Sequence, residues 1–568
     1  MPVAVRRSSR SVPAKPVPKP ATEPKAPAKP KSQPTKKRAA SPTRAESPAP
    51  KRSRTAVVDN KKTEQPPPTK KPASKQPTKA PAKPAAKPVT KPATKPATVK
   101  KPVTKPSPAP EKRVAAPIPQ QKPYFNPLPV APPKQRPGLT LWAWGAGNFG
   151  QFGMGPDVLG ELDKPRKNPW VEQKIQSGQF GEEGAGLETI AAGGMHTIFV
   201  DEKGTVWTCG VNDDAALGRV TTDVPDPENP GSFLSVDDLT SIPHPLQSLI
   251  DEKFRAVKIA AGDSISAAVS TEGELRVWGT FRANEGSLGF SSGHKHQYSP
   301  VPLLELPHKP GDSEKVSSIA SGSNHLLVLT THGNIYTWGA GEQSQLGRKL
   351  IERRKIHGTV PEKVTLGTRS RKAVVIGAGN YHSFAVDDQG DVWGWGLNTM
   401  GQSGTGYNSP SDDEVKLPTK VIGLSKEELK GETIVQIAGG EHHTLFLTSG
   451  GKVYACGRSN CSQLGLDDDD EALEDRPYPD FVPTPVQVTF PDDDDPIRNV
   501  SAGSHNSMAV SEGGALYVWG QGTQGELGVA DEEVKTPRVI VRREGGSWAA
   551  VQVACGGQHT LGLFRSKK

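Results

Sequence analysis

Gly322-Ser323-Asn324-His325-Leu326-Leu327-Val328-Leu329-Thr330-Thr331-His332-Gly333-Asn334-Ile335-Tyr336-Thr337-Trp338-Gly339 decides the fold. Two short runs rich in β-branched, leucine and aromatic residues flank Gly333, which stands where a tight turn needs positive φ, so the stretch reads as a β-hairpin. The same unit recurs from Gly193 to Cys209-Gly210, Gly262 to Trp278-Gly279, Gly379 to Trp395-Gly396, Gly440 to Cys456-Gly457 and Gly503 to Trp519-Gly520. In all six an interior glycine lies 11 residues after the first, and Trp-Gly or Cys-Gly lies at offsets 16 and 17. The bulky residue at offset 16 is expected in the core between sheets.

A seventh start, Gly556-Gly557-Gln558-His559, stands near the C-terminus with no Trp-Gly after it, while Trp144-Gly145 opens the folded part with no start before it. One unit split between the two ends lets a ring close by pairing N- and C-terminal strands, which hides sheet edges that an open array would expose. The expectation is an all-β, seven-bladed β-propeller over residues 138–568. Its units are 53 to 69 residues apart, longer than kelch or WD repeats, so the additional length falls in loops, where function concentrates.

A quieter marker, Gly-Gln-Leu-Gly or a variant, follows each Trp-Gly or Cys-Gly. Its last glycine lies 8 residues on in six units and 10 in the unit of Trp278-Gly279. The two added residues fall within Thr280–Ser287, either as a tolerated insertion or as a protruding functional hairpin.

Composition divides the chain near residue 137. Residues 1–137 hold 33 Lys and Arg against 5 Asp and Glu, a net +28, with 34 of the 56 prolines and neither Gly nor Trp. Such a Lys/Pro/Ala-rich segment cannot bury a core and is expected to be a disordered basic tail. The remainder carries −18. No apolar signal core and no long apolar run appears, so secretion and a membrane partner are not expected. Four cysteines are too few for a disulfide framework. Cys456 and Cys461 lack a partner pair for zinc, and no phosphate-cradling Gly-x-x-x-x-Gly-Lys-Ser/Thr occurs. No metal, cofactor or covalent chemistry is expected.

The units Gly-x-x-His-Ser/Thr and Gly-x-Val-Tyr-x-Trp-Gly-x-Gly-x-x-x-Gln-Leu-Gly resemble the regulator of chromosome condensation family over the whole propeller. The resemblance implies a guanine-nucleotide exchange factor that releases GDP from the small GTPase Ran on chromatin, supporting nuclear transport and mitosis. It implies that Phe281, Arg282, Asn284, Glu285 and Gly286 form a wedge against the GTPase, that Asp263 competes for a GTPase lysine or orients the GTPase, and that Asn324, His325, His442, His443 and His559 make polar contacts to it. The family has an acidic residue where this chain has Asn324, an Asp where it has Ala283, and a repeat His where it has Ile265.

The resemblance also places a switchback loop at the basic run 348–355, so that Arg348, Arg353, Arg354 and Lys355 are candidates for an acidic histone surface of the nucleosome, and Arg369, Arg371 and Lys372 for DNA phosphates. The tail's charge predicts salt-dependent, sequence-independent DNA binding. Lys36, Lys37 and Arg38 with Lys51, Arg52 and Arg54 form a bipartite pattern for a nuclear import receptor, so a chromatin-associated nuclear protein is expected. The alternative is a propeller scaffold that binds chromatin or another protein without exchanging nucleotide.

Overall fold

The computed structural model describes residues 121–567 apart from 369 and 370, with the backbone alone at Glu352. Its described residues form seven four-stranded antiparallel sheets around a central channel of about 510 Å³. Blade 1 comprises Leu187–Ala192, His196–Asp201, Val206–Gly210 and His244–Pro245; blade 2, Ala256–Ala261, Ile265–Ser270, Leu275–Gly279 and Gln297–Val301; blade 3, Val316–Ser321, His325–Thr330, Ile335–Gly339 and Glu362–Val364. Blades 4, 5 and 6 begin at Ala373, Ile434 and Ile497. Blade 7 joins Trp548–Cys555 and His559–Ser566 to Thr140–Ala146 and Glu161–Lys167, with Trp144 opposite Thr560. The expected closure by the two ends is therefore present.

The apolar runs have a simple cause. The second strand of blades 1 to 6 is buried at every position, because neighbouring blades cover both of its faces. The interior glycine of each unit takes the turn position, as at Gly333 with φ +76°.

Six of the seven seams between blades share one polar lock. At the seam of blades 3 and 4, Trp395 Nε1 and Ser383 Oγ both donate to the Gln345 carbonyl, at 2.9 and 2.8 Å. The same pair of donors recurs as Cys209 and Thr197 on Gln151, Trp278 and Ser266 on Ala216, Cys456 and Thr444 on Gln402, Trp519 and Ser507 on Gln463, and Trp144 and Thr560 on Glu526. Each accepting carbonyl sits two residues before the last glycine of the quieter marker, which is therefore a socket for the next blade's Trp or Cys. At Gly218 a side chain would strike the ring of Trp278.

The repeat histidines complete five of these locks from the preceding blade. His196, His325, His382, His443 and His559 bond through Nε2 to Ser266, Ser383, Thr444, Ser507 and Thr197, at 2.7 to 3.0 Å. In the sixth, Asn506 Nδ2 instead reaches Cys555 Sγ.

The seam of blades 2 and 3 has none of this. Trp338 is fully buried and its indole N–H has no acceptor among the described residues. The hydroxyl position holds Leu326, the histidine position Ile265, and the carbonyl position falls on Ser287, inside the lengthened loop. Ile265, Leu326 and Trp338 join Phe281 and Phe290 in one apolar cluster instead.

Residues 121–137 alter the boundary drawn by composition. Phe125 and Asn126 donate their backbone N–H to Thr331 O, and the buried Asn126 amide donates to Thr330 O and Ala373 O at 3.0 and 2.9 Å. Ser317 Oγ donates to Pro127 O, and Arg136 pairs with Glu202. This strap packs against the ring, so the folded part includes residues on the tail side of the boundary that composition draws at 137. Asn126 meets blade carbonyls that only the assembled ring brings together, so proline content alone misplaces it.

Candidate functional site

The turns that open each unit encircle one mouth of the channel. Backbone bonds lace them together: Gly194 N to Gly262 O, Asp263 N to Ser323 O, Ser323 N to Asn380 O, Asn380 N to Gly440 O and Gly557 N to Gly193 O. The fourth residue of each turn begins the buried strand, whereas the second and third remain on the rim. His325, His443 and His559 are fully buried and held to the next blade, so they present nothing to a partner. Their expected GTPase contacts are replaced by the seam lock. Burial lowers their pKa to about 3, and that of His196 to about 4.

The rim positions differ from unit to unit. Asp263 is exposed, and its carboxyl lies above the ordinary range because hydration is restricted at the channel mouth, with Arg282 opposing the shift and Asp214 adding to it. Asn324 and His442 are half-exposed. His442 lies beside Gln402 and Glu441, and partial burial lowers its pKa.

The lengthened loop is a two-stranded hairpin on this rim. Arg282 faces Ser287 and Ala283 faces Gly286, with Asn284 and Glu285 at the exposed tip. Phe281 is no part of its contact surface: fully buried against Phe290 at 5.4 Å, it anchors the base. Neighbouring loops hold the hairpin. Arg282 Nη1 pairs with Asp214 at 3.0 Å, Arg282 N donates to Asn324 Oδ1 at 2.9 Å, and Asn284 N donates to Glu342 Oε2 at 2.7 Å. Lys355 bridges Glu285 and Glu342 at 2.9 and 2.6 Å. Neither Asp214 nor Glu342 is marked by the sequence, because each acts 58 or more residues away in the chain.

The basic candidates separate in space. Arg353 and Arg354 are exposed. Arg348 is turned inward, where it donates to Gly358 O and Val360 O and pairs with Glu362, so it closes the loop's base rather than offering a free charge. Lys355 is likewise committed to the hairpin. Arg371 is tied to Asp387 and Asp391, both in its own blade. Lys372 stands over the Phe125 ring at 4.6 Å, beside the Gly333 turn, at the opposite end of the strands from Arg353. The structure thus leaves Arg353, Arg354 and Lys372 accessible. Arg369 and the tail residues Lys36, Lys37, Arg38, Lys51, Arg52 and Arg54 lie outside the described residues.

Seven closed blades with a laced rim and one lengthened hairpin define a β-propeller of the repeat class. The RCC1-like domain model matches residues 140–562, and the chain belongs to that family. The guanine nucleotide exchange factor SRM1 of Saccharomyces cerevisiae is 31% identical over 446 residues, covering 74% of this chain and 86% of its own length. The solved structure of Prp20p from Saccharomyces cerevisiae, reported with its binding to Gsp1p and histones, matches with a TM-score of 0.64 at 30% identity, over 78% of this chain and 94% of that one. A second, Kap60 bound to yeast RCC1 (Prp20), matches with a TM-score of 0.64 at 29% identity, over 83% and 97%.

Proposed function

We propose that this protein is a guanine-nucleotide exchange factor that releases GDP from the small GTPase Ran while bound to chromatin, in support of nuclear transport and mitosis. The observation that carries the reading is the family match over the entire ring, in which one hairpin alone is lengthened and stands on the rim beside Asp263 and Asn324.

Exchange requires no bond chemistry. The protein binds the nucleotide-free GTPase more tightly than the loaded form, and linkage then lowers nucleotide affinity by the same factor. Each tenfold loss of nucleotide affinity needs about 1.4 kcal/mol of differential binding. Arg282, Asn284, Glu285 and Gly286 supply the wedge, Asp263 and His442 the polar rim, and Asn324 acts through the hairpin it holds. An exposed hairpin on a laced rim suits this work, because its position is fixed before the partner arrives.

Histone contact is assigned to Arg353 and Arg354, whose guanidinium forks fit carboxylates, and DNA contact to the basic tail and Lys372. The tail's bipartite pattern serves an import receptor, in keeping with the Kap60 complex of the yeast relative, and gives a nuclear, chromatin-associated location. The test is release of labelled GDP from purified Ran by catalytic amounts of the full chain. Acceleration is expected, and its absence would leave the scaffold reading in its place.

A further inference from the structure

The hairpin at residues 282–287 occupies the place where every other blade builds its socket. Ser287 stands at the position of the accepting carbonyl, and the next blade's Trp338 finds no acceptor. The hairpin therefore lacks the core bond that fixes its six counterparts. Two rim side chains of the following blade bond to its backbone instead: Asn324 Oδ1 accepts from Arg282 N and Glu342 Oε2 accepts from Asn284 N. Glu342 is only 11% exposed, and its second oxygen receives Lys355. A carboxylate so placed, with both oxygens engaged, holds the tip in one position. A hydrogen bond to a charged group is stronger than a neutral one and more directional than a contact between apolar surfaces.

We propose that Glu342 is a positioning residue for nucleotide exchange, substituting for the missing socket bond by fixing the Asn284 backbone and hence the hairpin tip. This rests on the exchange reading above. Glu342 acts through the hairpin and touches no part of the GTPase. Its loss leaves the encounter with loaded Ran intact, while the displaced-nucleotide state, which needs the tip in place, becomes harder to reach.

The test is GDP release from Ran by the full chain and its Glu342→Ala, Glu342→Gln and Glu342→Asp variants, with kcat and KM separated. Glu342→Ala is expected to lower kcat about tenfold with KM within about twofold, the loss of one charge-assisted bond. Glu342→Gln keeps an acceptor for Asn284 N and is expected to recover most of kcat. A rise in KM at constant kcat would overturn the proposal, because it would place Glu342 in the interface. Equal loss in the Gln and Ala variants would also overturn it, since charge alone would then matter. If Glu342→Ala does not fold, Glu342→Asp, one methylene short of Asn284 N, decides by the same split. Failure of the unaltered chain to accelerate release sinks the exchange reading, whereas normal kinetics in all three variants sinks only the role of Glu342.

Discussion

Six seams of this propeller are polar and one is apolar, and the apolar seam lies beneath the hairpin that sets this protein apart from a plain ring. In each polar seam one backbone carbonyl accepts from a hydroxyl and from an indole or thiol, so a Ser or Thr and a Trp or Cys are needed at fixed offsets from it. The seam of blades 2 and 3 has Ile265 in place of the histidine and Leu326 in place of the hydroxyl, and keeps Trp338 without an acceptor. Substituting both partners of a buried hydrogen bond with matching apolar groups costs little, whereas removing one orphans the other. That asymmetry explains why Ile265 and Leu326 differ from the repeat together.

The largest test of this contrast is acid. His196, His325, His443 and His559 are kept neutral by burial with pKa values of about 3 to 4, and His382 is held well below the ordinary value by burial first and then by its histidine neighbours. Unfolded, each titrates near 6.5. The unfolded chain therefore binds more protons between these limits: stability is full above about pH 6.5, falls as pH drops toward the folded values, and levels off below them. Five such groups predict a loss on the order of 5 kcal/mol between pH 7.5 and 5.5, read from urea unfolding at the two pH values. His325→Gln should remove about a fifth of that slope. A pH-independent midpoint would break the account of the polar seams.

The next test sets two adjacent histidines against each other. His443→Ala removes a fully buried ring and takes one of the two hydrogen-bond partners of Ser507 Oγ, and is expected to cost about 3 kcal/mol. His442→Ala alters a half-exposed rim residue and should change stability by less than about 0.5 kcal/mol while slowing GDP release. If both lose stability equally, the division between the buried fourth residue and the rim residues before it is wrong.

The same division explains what the sequence discloses. Ring assembly was legible because it is solved seven times over: glycine at the turn, a strand buried on both faces and a Trp or Cys at offset 16 recur wherever two blades meet. The hairpin was legible only as a break in that recurrence, open to reading as a tolerated insertion, and Ile265 only as a departure from the repeat histidine. The partners were not. His325, His443 and His559 share their residue type with the rim residue His442, and only the direction of the strand separates them. Phe281 begins the lengthened loop, and packing alone assigns it to the base. Arg348, Lys355 and Arg371 read as free charge until distant or returning segments supply their carboxylates and carbonyls. Glu342 acquires its meaning from Asn284, in the preceding blade.

The smallest test concerns that basic loop, where the contrast between engaged and free charge recurs within a few residues. Lys355 is 28% exposed and shared by Glu285 and Glu342, whereas Arg353 and Arg354 extend outward. Replacing both arginines by alanine should weaken nucleosome binding about tenfold, since each guanidinium fork on a carboxylate contributes roughly 0.7 kcal/mol at a rim. The measurement is a titration of nucleosomes with the full chain at fixed salt, compared with GDP release by the same variant on free Ran. Exchange on free Ran should be unchanged, because among the described residues neither arginine side chain bonds to the hairpin, Asn324 or Glu342. Lys355→Met should do the reverse, slowing release through Glu342 while nucleosome affinity changes little. If both substitutions move both readouts together, the loop is one surface rather than two, and the separation between the side chains that hold the hairpin and those that meet the histones does not exist.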